Sequence, residues 1–406
     1  MKLIALSFRY LWSRPLAAAL NVLLLALGLA SITLVLLTSA QIDRAFERDL
    51  AGIDVVVGAK GSPMQLILAG VFHIDTPTGN IPLADVKELQ KNPQVAKLIP
   101  LSLGDSFRGF RIVGTTADYV THYDAKLAQG ALWQQPMEAV LGAEVAATTG
   151  MKAGNSFIGS HGLGAGNSSG HAHEGNPYQI TGVLAPCGCV LDRLILTATE
   201  SVWRVHEKAI EGDTPLDAED KKAIEDDREV TLALITYSSP LAAVTFPRFV
   251  NTTTNMQAAA PAIEITRLLR MVGVGTEVLR GFGAVLLLTA GLSVFIALWN
   301  AVRERRADLA MLRMLGASPA KVAGLLVCEA LWLAILASIL GMLAGHGLTG
   351  LVGSMLQAEK SLPVTGWFWL TQEWVIPAAA AAVAVIAALL PAIAAYRVDV
   401  HTLLKS

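Results

Sequence analysis

Charge is scarce in this chain. Asp, Glu, Lys and Arg make up only 16% of its 406 residues, against about 25% in an average soluble domain. The formal net charge is −2 and no basic domain is present, so nothing points to nucleic acid. Three cysteines do not make a disulfide scaffold. No G-x-x-x-x-G-K-[ST] occurs, which excludes ATP binding in the P-loop manner. G-x-S-x-G, H-E-x-x-H and paired C-x-x-C are also absent, so the chain offers no constellation for catalysis. No internal repeat is visible.

Apolar residues are what the chain has in quantity: 53% of the total, with a mean hydropathy of +0.51. Four runs reach the length of about 20 residues that a membrane span needs: Leu16–Ala40, Gly281–Ala301, Val322–Gly345 and Val375–Tyr396. The first resembles a secretory signal in its basic flank of Lys2, Arg9 and Arg14. Its 25 residues exceed the about 7–15 of a signal h-region, so it reads as an uncleaved anchor.

Basic residues set the expected orientation. Lys2, Arg9 and Arg14 precede the first span, five Lys/Arg separate the second from the third, and Arg397 and Lys405 follow the fourth. The loop between spans three and four carries only Lys360. The positive-inside rule then places both termini and 302–321 in the cytoplasm, with 41–280 and 346–374 outside. Arg267, Arg270 and Arg280 end a long translocated domain, a case largely exempt from that rule. The expected layout is a cytoplasmic interfacial helix (1–15), span one (16–40), an external domain with a helical stalk (41–280), span two (281–301), a cytoplasmic basic amphipathic helix (302–321), span three (322–345), a short external loop (346–374), span four (375–396) and a cytoplasmic tail (397–406).

Strand-like runs bounded by Gly, Pro and Asp occur at Ile53–Val57, Val95–Pro100, Arg108–Val113, Tyr178–Leu184, Leu194–Thr197 and Glu229–Tyr237. Leu83–Gln90 and Glu138–Thr149 read as helices, and the charged run 207–228 as a solvated helical insertion. The fold class expected is a membrane protein of four transmembrane α-helices, with a large α+β extracytoplasmic domain between helices one and two.

The segment Val302–Lys321 (VRERRADLAMLRMLGASPAK) stands out. Five basic residues face two acidic ones, and apolar residues recur at helical spacing. Glu329 lies in the third span about 8 residues further on, roughly 12 Å by helix rise. It is placed to pair with a basic residue, a structural role inside the membrane.

This layout resembles the FtsX-like, MacB-type permease family of ABC transporters. Arg303–Ala317 (RERRADLAMLRMLGA) is similar to the family's coupling run, with Asp308 close to the usual Glu. Pro391–Leu404 (PAIAAYRVDVHTLL) is similar to its tail, with Val400 where Pro is usual. Ala139–Ser156 and Tyr178–Leu184 resemble segments of its external domain. The resemblance implies a permease, not an enzyme in itself, in a bacterial inner membrane. It implies a homodimer driven by a separate ABC ATPase, whose motion the stalk transmits outward. Membrane lipid and a periplasmic adaptor or substrate-binding protein are the other partners implied. ATPase coupling is carried over to Arg303, Glu304, Arg306, Leu309, Leu312, Arg313, Leu315, Gly316 and Ala317, with Gly316 ending the helix. Related permeases release lipoproteins, export peptides or macrolides, or act as scaffolds that activate a periplasmic cell-wall hydrolase.

One loop is unusual. Gly159–Asn176 (GSHGLGAGNSSGHAHEGN) carries His161, His171, His173 and Glu174, and Cys187 and Cys189 follow as P-C-G-C. Imidazole, thiolate and carboxylate are zinc and copper ligands, so the six residues form a candidate metal site. A flexible linker explains the histidines as well. The cysteines can bond to each other, serve as thiolate ligands or pack as small apolar residues.

Overall fold

The computed structural model describes residues 3–161, 176–211, 224–358 and 364–397. The chain divides into two compact units: one of Met1–Ile42, Met271–Ala358 and Leu362–Ser406, the other of Asp43–Arg270 and Glu359–Ser361.

Two helices open the chain, α1 (Leu3–Trp12) and α2 (Pro15–Leu50). Pro15 stands at the start of α2, where its missing N–H costs nothing. The apolar run Leu16–Ala40 and the polar stretch Gln41–Leu50 form this one helix.

The second unit follows as β1 (Val55–Ala59), α3 (Pro63–Gly70), β2 (Ile81–Pro82), α4 (Leu83–Gln90), β3 (Val95–Phe107), β4 (Phe110–Thr115), α5 (Ala117–His122), β5 (Leu127–Gly130), β6 (Glu138–Leu141), α6 (Ala143–Thr149), β7 (Ser156–Phe157), β8 (Ser160–His161), β9 (Tyr178–Leu184), β10 (Leu194–Ala198), α7 (Thr199–Glu211), β11 (Glu229–Val230), β12 (Leu232–Tyr237), α8 (Ala242–Thr253) and β13 (Met256–Ala259). The main sheet runs β13-β1-β12-β3-β4-β10-β6-β9-β5. It is mixed: β10 lies parallel to β4 and β6 parallel to β9, while the remaining neighbours are antiparallel. Among the described residues, two apolar clusters pack in its core. One gathers Val55, Ile235 and Phe246, the other Ile112, Tyr178 and Ile195.

Glu138–Thr149 corrects a sequence expectation. The Ala-rich run suggests one helix, but Glu138–Leu141 is strand β6, paired on both sides by β10 and β9. Ala139, Val140 and Leu141 are fully buried there. Gly142 is extended (φ −64°, ψ 158°) and starts α6. Tertiary pairing overrides the local helical preference. Of the charged run 207–228, residues 207–211 end α7 and 224–226 are helical, while 212–223 lie outside the described residues.

The first unit is completed by α9 (Pro261–Glu304) from Met271 onward, α10 (Arg306–Met314), α11 (Pro319–Ala358) and α12 (Val375–Tyr396). Among the described residues, four helices, the stretches Pro15–Leu50, Glu277–Glu304, Pro319–Met355 and Thr371–Tyr396, are long and apolar enough to cross a membrane. Leu25, Leu29, Val294, Leu298, Leu326, Ala330, Ala384 and Ala388 lie in the core of this unit. Small and weakly polar residues on α2 set its spacing to α9. A Cβ on Gly28 would lie 3.3 Å from the Leu287 nitrogen. Asn21 Oδ1 accepts a 2.7 Å hydrogen bond from Ser293 Oγ, of the kind that ties helices together in lipid.

Candidate functional site

The segment 302–321 is shorter as a helix than its sequence suggests. Val302–Glu304 end α9, Arg305 is a break, and α10 covers only Arg306–Met314. Its end follows from Gly316, which sits at φ +93° where L side chains are strained. There Gly316 N–H donates to Arg313 O and Ala317 N–H to Leu312 O, each at 3.0 Å. These two bonds form a Schellman motif that satisfies the last carbonyls. Ser318 then accepts at Oγ from Lys321 N–H (3.4 Å) and Pro319 opens α11, an N-cap followed by proline at the first position.

The faces of α10 separate the carried-over residues. Leu309 and Ala310 are buried, at 3% and 4% exposure, and Leu309 packs in the core with Leu325 and Leu326. Leu309 is therefore an anchor and not part of an outward ridge. Arg303, Glu304, Arg306, Leu315 and Gly316 are exposed, while Leu312, Arg313 and Ala317 are half-buried. Met311 and Met314 are exposed as well. They complete an apolar patch with Leu315, and helical periodicity alone marks them.

Behind this face lies a clamp. Arg305 reaches the Glu329 carboxylate at 3.3 Å, with side-chain exposures of 14% and 5%. The same guanidinium donates to Tyr10 O (3.0 Å) and Ser13 Oγ (2.6 Å) and lies over the Tyr10 ring, 4.7 Å from its centroid. Arg14 pairs with Glu304. The break before α10 is thus tied to both α1 and α11. Glu329 has the basic partner that its position called for. Removing one member of such a buried pair costs about 3–5 kcal/mol, because the other charge is left uncompensated.

At the far end of α11, His346 Nδ1 is 2.7 Å from Gly366 O and Nε2 is 3.0 Å from Glu373 Oε2. Glu373 Oε1 accepts from Leu370 N–H at 2.7 Å. Gln41 holds the same loop through both polar groups of the Thr365 backbone, at 3.0 and 2.8 Å. Neither tie is legible from local pattern, because the partners are far apart along the chain.

Of the six candidate metal residues, the structure describes His161, Cys187 and Cys189. His171, His173 and Glu174 lie outside the described residues. His161 is in β8, its backbone opposite Asp105 of β3. Cys187 and Cys189 are bonded to each other, so neither presents a thiolate, which corrects their reading as ligands. Among the described residues, no group of three or more His, Cys, Asp or Glu could hold a metal ion.

Several polar groups of the second unit are buried. His73, at φ +55°, hydrogen-bonds Tyr119 through Nε2 at 3.0 Å. Burial holds this imidazole well below its ordinary pKa, and the nearby Arg111 and Arg193 cations act in the same direction. Arg111 is itself pushed down to about 10 by burial, against the opposing charge of Asp75.

Four spanning-length apolar helices, with a large α+β insert after the first, define a polytopic membrane protein. Residues 18–220 match the MacB-like periplasmic core domain and residues 280–400 the FtsX-like permease C-terminal domain. The chain belongs to the MacB/FtsX-type permease family of ABC transporters, whose permeases work with an ATPase. Two solved structures are similar to about half of the chain. One is the periplasmic region of MacB from Actinobacillus actinomycetemcomitans, at 12% identity over 54% of this chain and 95% of that one, with a TM-score of 0.34. The other is the extracellular domain of the noncanonic ABC-type transporter YknZ from Gram-positive bacteria, at 11% identity over 50% and 98%, with a TM-score of 0.30. No curated protein matches the chain.

Proposed function

We propose that this chain is the permease subunit of an ABC transporter in a Gram-negative inner membrane. It works as a homodimer with a separate ATPase, and both of its termini are cytoplasmic. The observation that carries the reading is α10: a short helix with a firm stop, clamped from behind by Arg305 and Glu329, with Arg306, Met311 and Met314 exposed on it and exposed Arg303 and Leu315 flanking it. An apolar patch beside fixed cations suits a groove with an acidic rim on a motor subunit, the charges setting register and the apolar groups affinity. Movement of α10 passes to α9 and α11 through the clamp. Because α2 and α9 are unbroken helices, they serve as the stalk that carries that movement to the external domain. The work done there is transport or mechanical transmission across the periplasm, with a periplasmic adaptor or substrate-binding protein as a further partner. Transition-metal handling extends this reading on the strength of His161, His171 and His173 in the sequence. Isothermal titration of the purified protein with zinc, against the triple alanine variant, tests that extension.

Arg306→Glu with Leu315→Asp tests the coupling role, since both side chains are exposed. From native membranes the wild type should co-purify with a P-loop ATPase that hydrolyses MgATP, and the variant should not, at unchanged thermal stability. An ATPase retained by the variant overturns the assignment of α10.

A further inference from the structure

The turn between β9 and β10 carries chemistry that the transport reading does not use. Cys187 and Cys189 are joined there across the single residue Gly188. We propose that this bond is a thiol–disulfide exchange site, with Cys187 Sγ the atom attacked and a thiol or dithiol the reductant. The proposal stands apart from the ATPase reading.

Loop size argues against a staple. A cross-link stabilises a fold chiefly by restricting the unfolded chain, and the restriction grows with the loop enclosed. A loop of one intervening residue sits at the low end of that scale.

The turn is also held by bonds that do not involve the S–S link. Asp192 accepts from Cys187 N–H at 3.0 Å and from Gly188 N–H at 2.7 Å. Arg48 donates to Gly188 O, and Asp49 Oδ1 accepts from Val190 N–H at 2.9 Å. Gly188 takes φ +64°, which glycine adopts without strain. Opening the disulfide therefore leaves the two sulfurs side by side, ready to close again. Asp192 Oδ1 lies 3.4 Å from Cys187 Sγ, placed to accept the S–H of the reduced form. Cys189 N–H points at the same sulfur from 3.1 Å and favours a thiolate there.

Exposure gives the exchange a direction. Cys187 is half-buried beside exposed Gly188, whereas Cys189 is 6% exposed. An incoming thiolate RS⁻ reaches Cys187 Sγ, forms R–S–S–Cys187 and expels Cys189 as a thiolate, which takes a proton from water. A second thiol of the reductant, as its thiolate, then attacks the R sulfur and releases Cys187 as a thiolate, which is protonated in turn. Two electrons and two protons pass from the dithiol to the disulfide, and the reductant becomes a disulfide. Arg48 and Asp49 lie in the last turn of α2, so the redox state acts on the turn that grips that helix end.

The test uses the full chain with Cys328→Ser, incubated in glutathione redox buffers without denaturant, acid-quenched, alkylated and mapped by mass spectrometry. The proposal expects reversible conversion to two thiols in folded protein, with melting temperature little changed. In single-cysteine variants, oxidised glutathione should modify Cys187 of Cys189→Ser at least about tenfold faster than Cys189 of Cys187→Ser. Reduction only in denaturant, unfolding on reduction, or equal or faster modification of Cys189 would each overturn it.

Discussion

Arg305 and Glu329 face each other at 3.3 Å across the junction of α9, α10 and α11. The guanidinium also holds the backbone of Tyr10. One cation thus ties the amphipathic first helix, the break before α10 and the third long apolar helix together.

Arg305→Ala should lower stability by about 3–5 kcal/mol, since Glu329 would remain buried without its partner. Arg305→Met with Glu329→Leu should recover most of that loss. Thermal unfolding of the full chain in detergent, arranged as a double-mutant cycle, measures the coupling. Additive effects of the two single substitutions would show that the residues do not act as a pair.

Gly316→Ala isolates the stop of α10. A Cβ at Gly316 meets nothing within 4 Å, so the cost is conformational, about 1–2 kcal/mol. The expected phenotype is a modest fall in melting temperature with weakened ATPase association, read in the same preparation.

Stability should fall with acid through His73. Its folded pKa is depressed by burial, so its contribution is present above the unfolded value of about 6.5 and is lost as pH falls below it, at about 1.4 kcal/mol per pH unit. His73→Asn suits the left-handed backbone and should flatten part of the slope in melting temperature between about pH 6.5 and 5. Some slope will remain, because His122 is shifted in the same direction by burial. An unchanged slope would show that His73 is not the group responsible.

Glu373→Ala should destabilise the far end of α11 more than Glu373→Gln. A glutamine can still accept from Leu370 N–H and donate to His346 Nε2, replacing both bonds of the carboxylate. Comparing the melting temperatures of the two variants decides it.

Much of the architecture is legible where one physical signal dominates. The fourth span at Val375–Tyr396 and strand Tyr178–Leu184 have the limits read from composition, because each is a pure apolar or alternating run with clear breakers. Glu138–Leu141 misleads because alanines keep a helical rhythm that sheet neighbours overrule. In the site, the basic amphipathic pattern exposes α10, and Gly316 marks its end. The inward turn of Leu309 and the partners of Arg305 are not legible, because they depend on contacts with residues up to 295 positions away. The pairing of Cys187 with Cys189 is one of three readings that the sequence allows, and only geometry chooses among them.

The most direct test places a photocrosslinking residue at Met314, on the exposed face of α10, and a second at Trp367, on the loop before α12. In native membranes the account predicts that Met314 captures a P-loop ATPase and Trp367 does not. Capture from Trp367, with none from Met314, would contradict it.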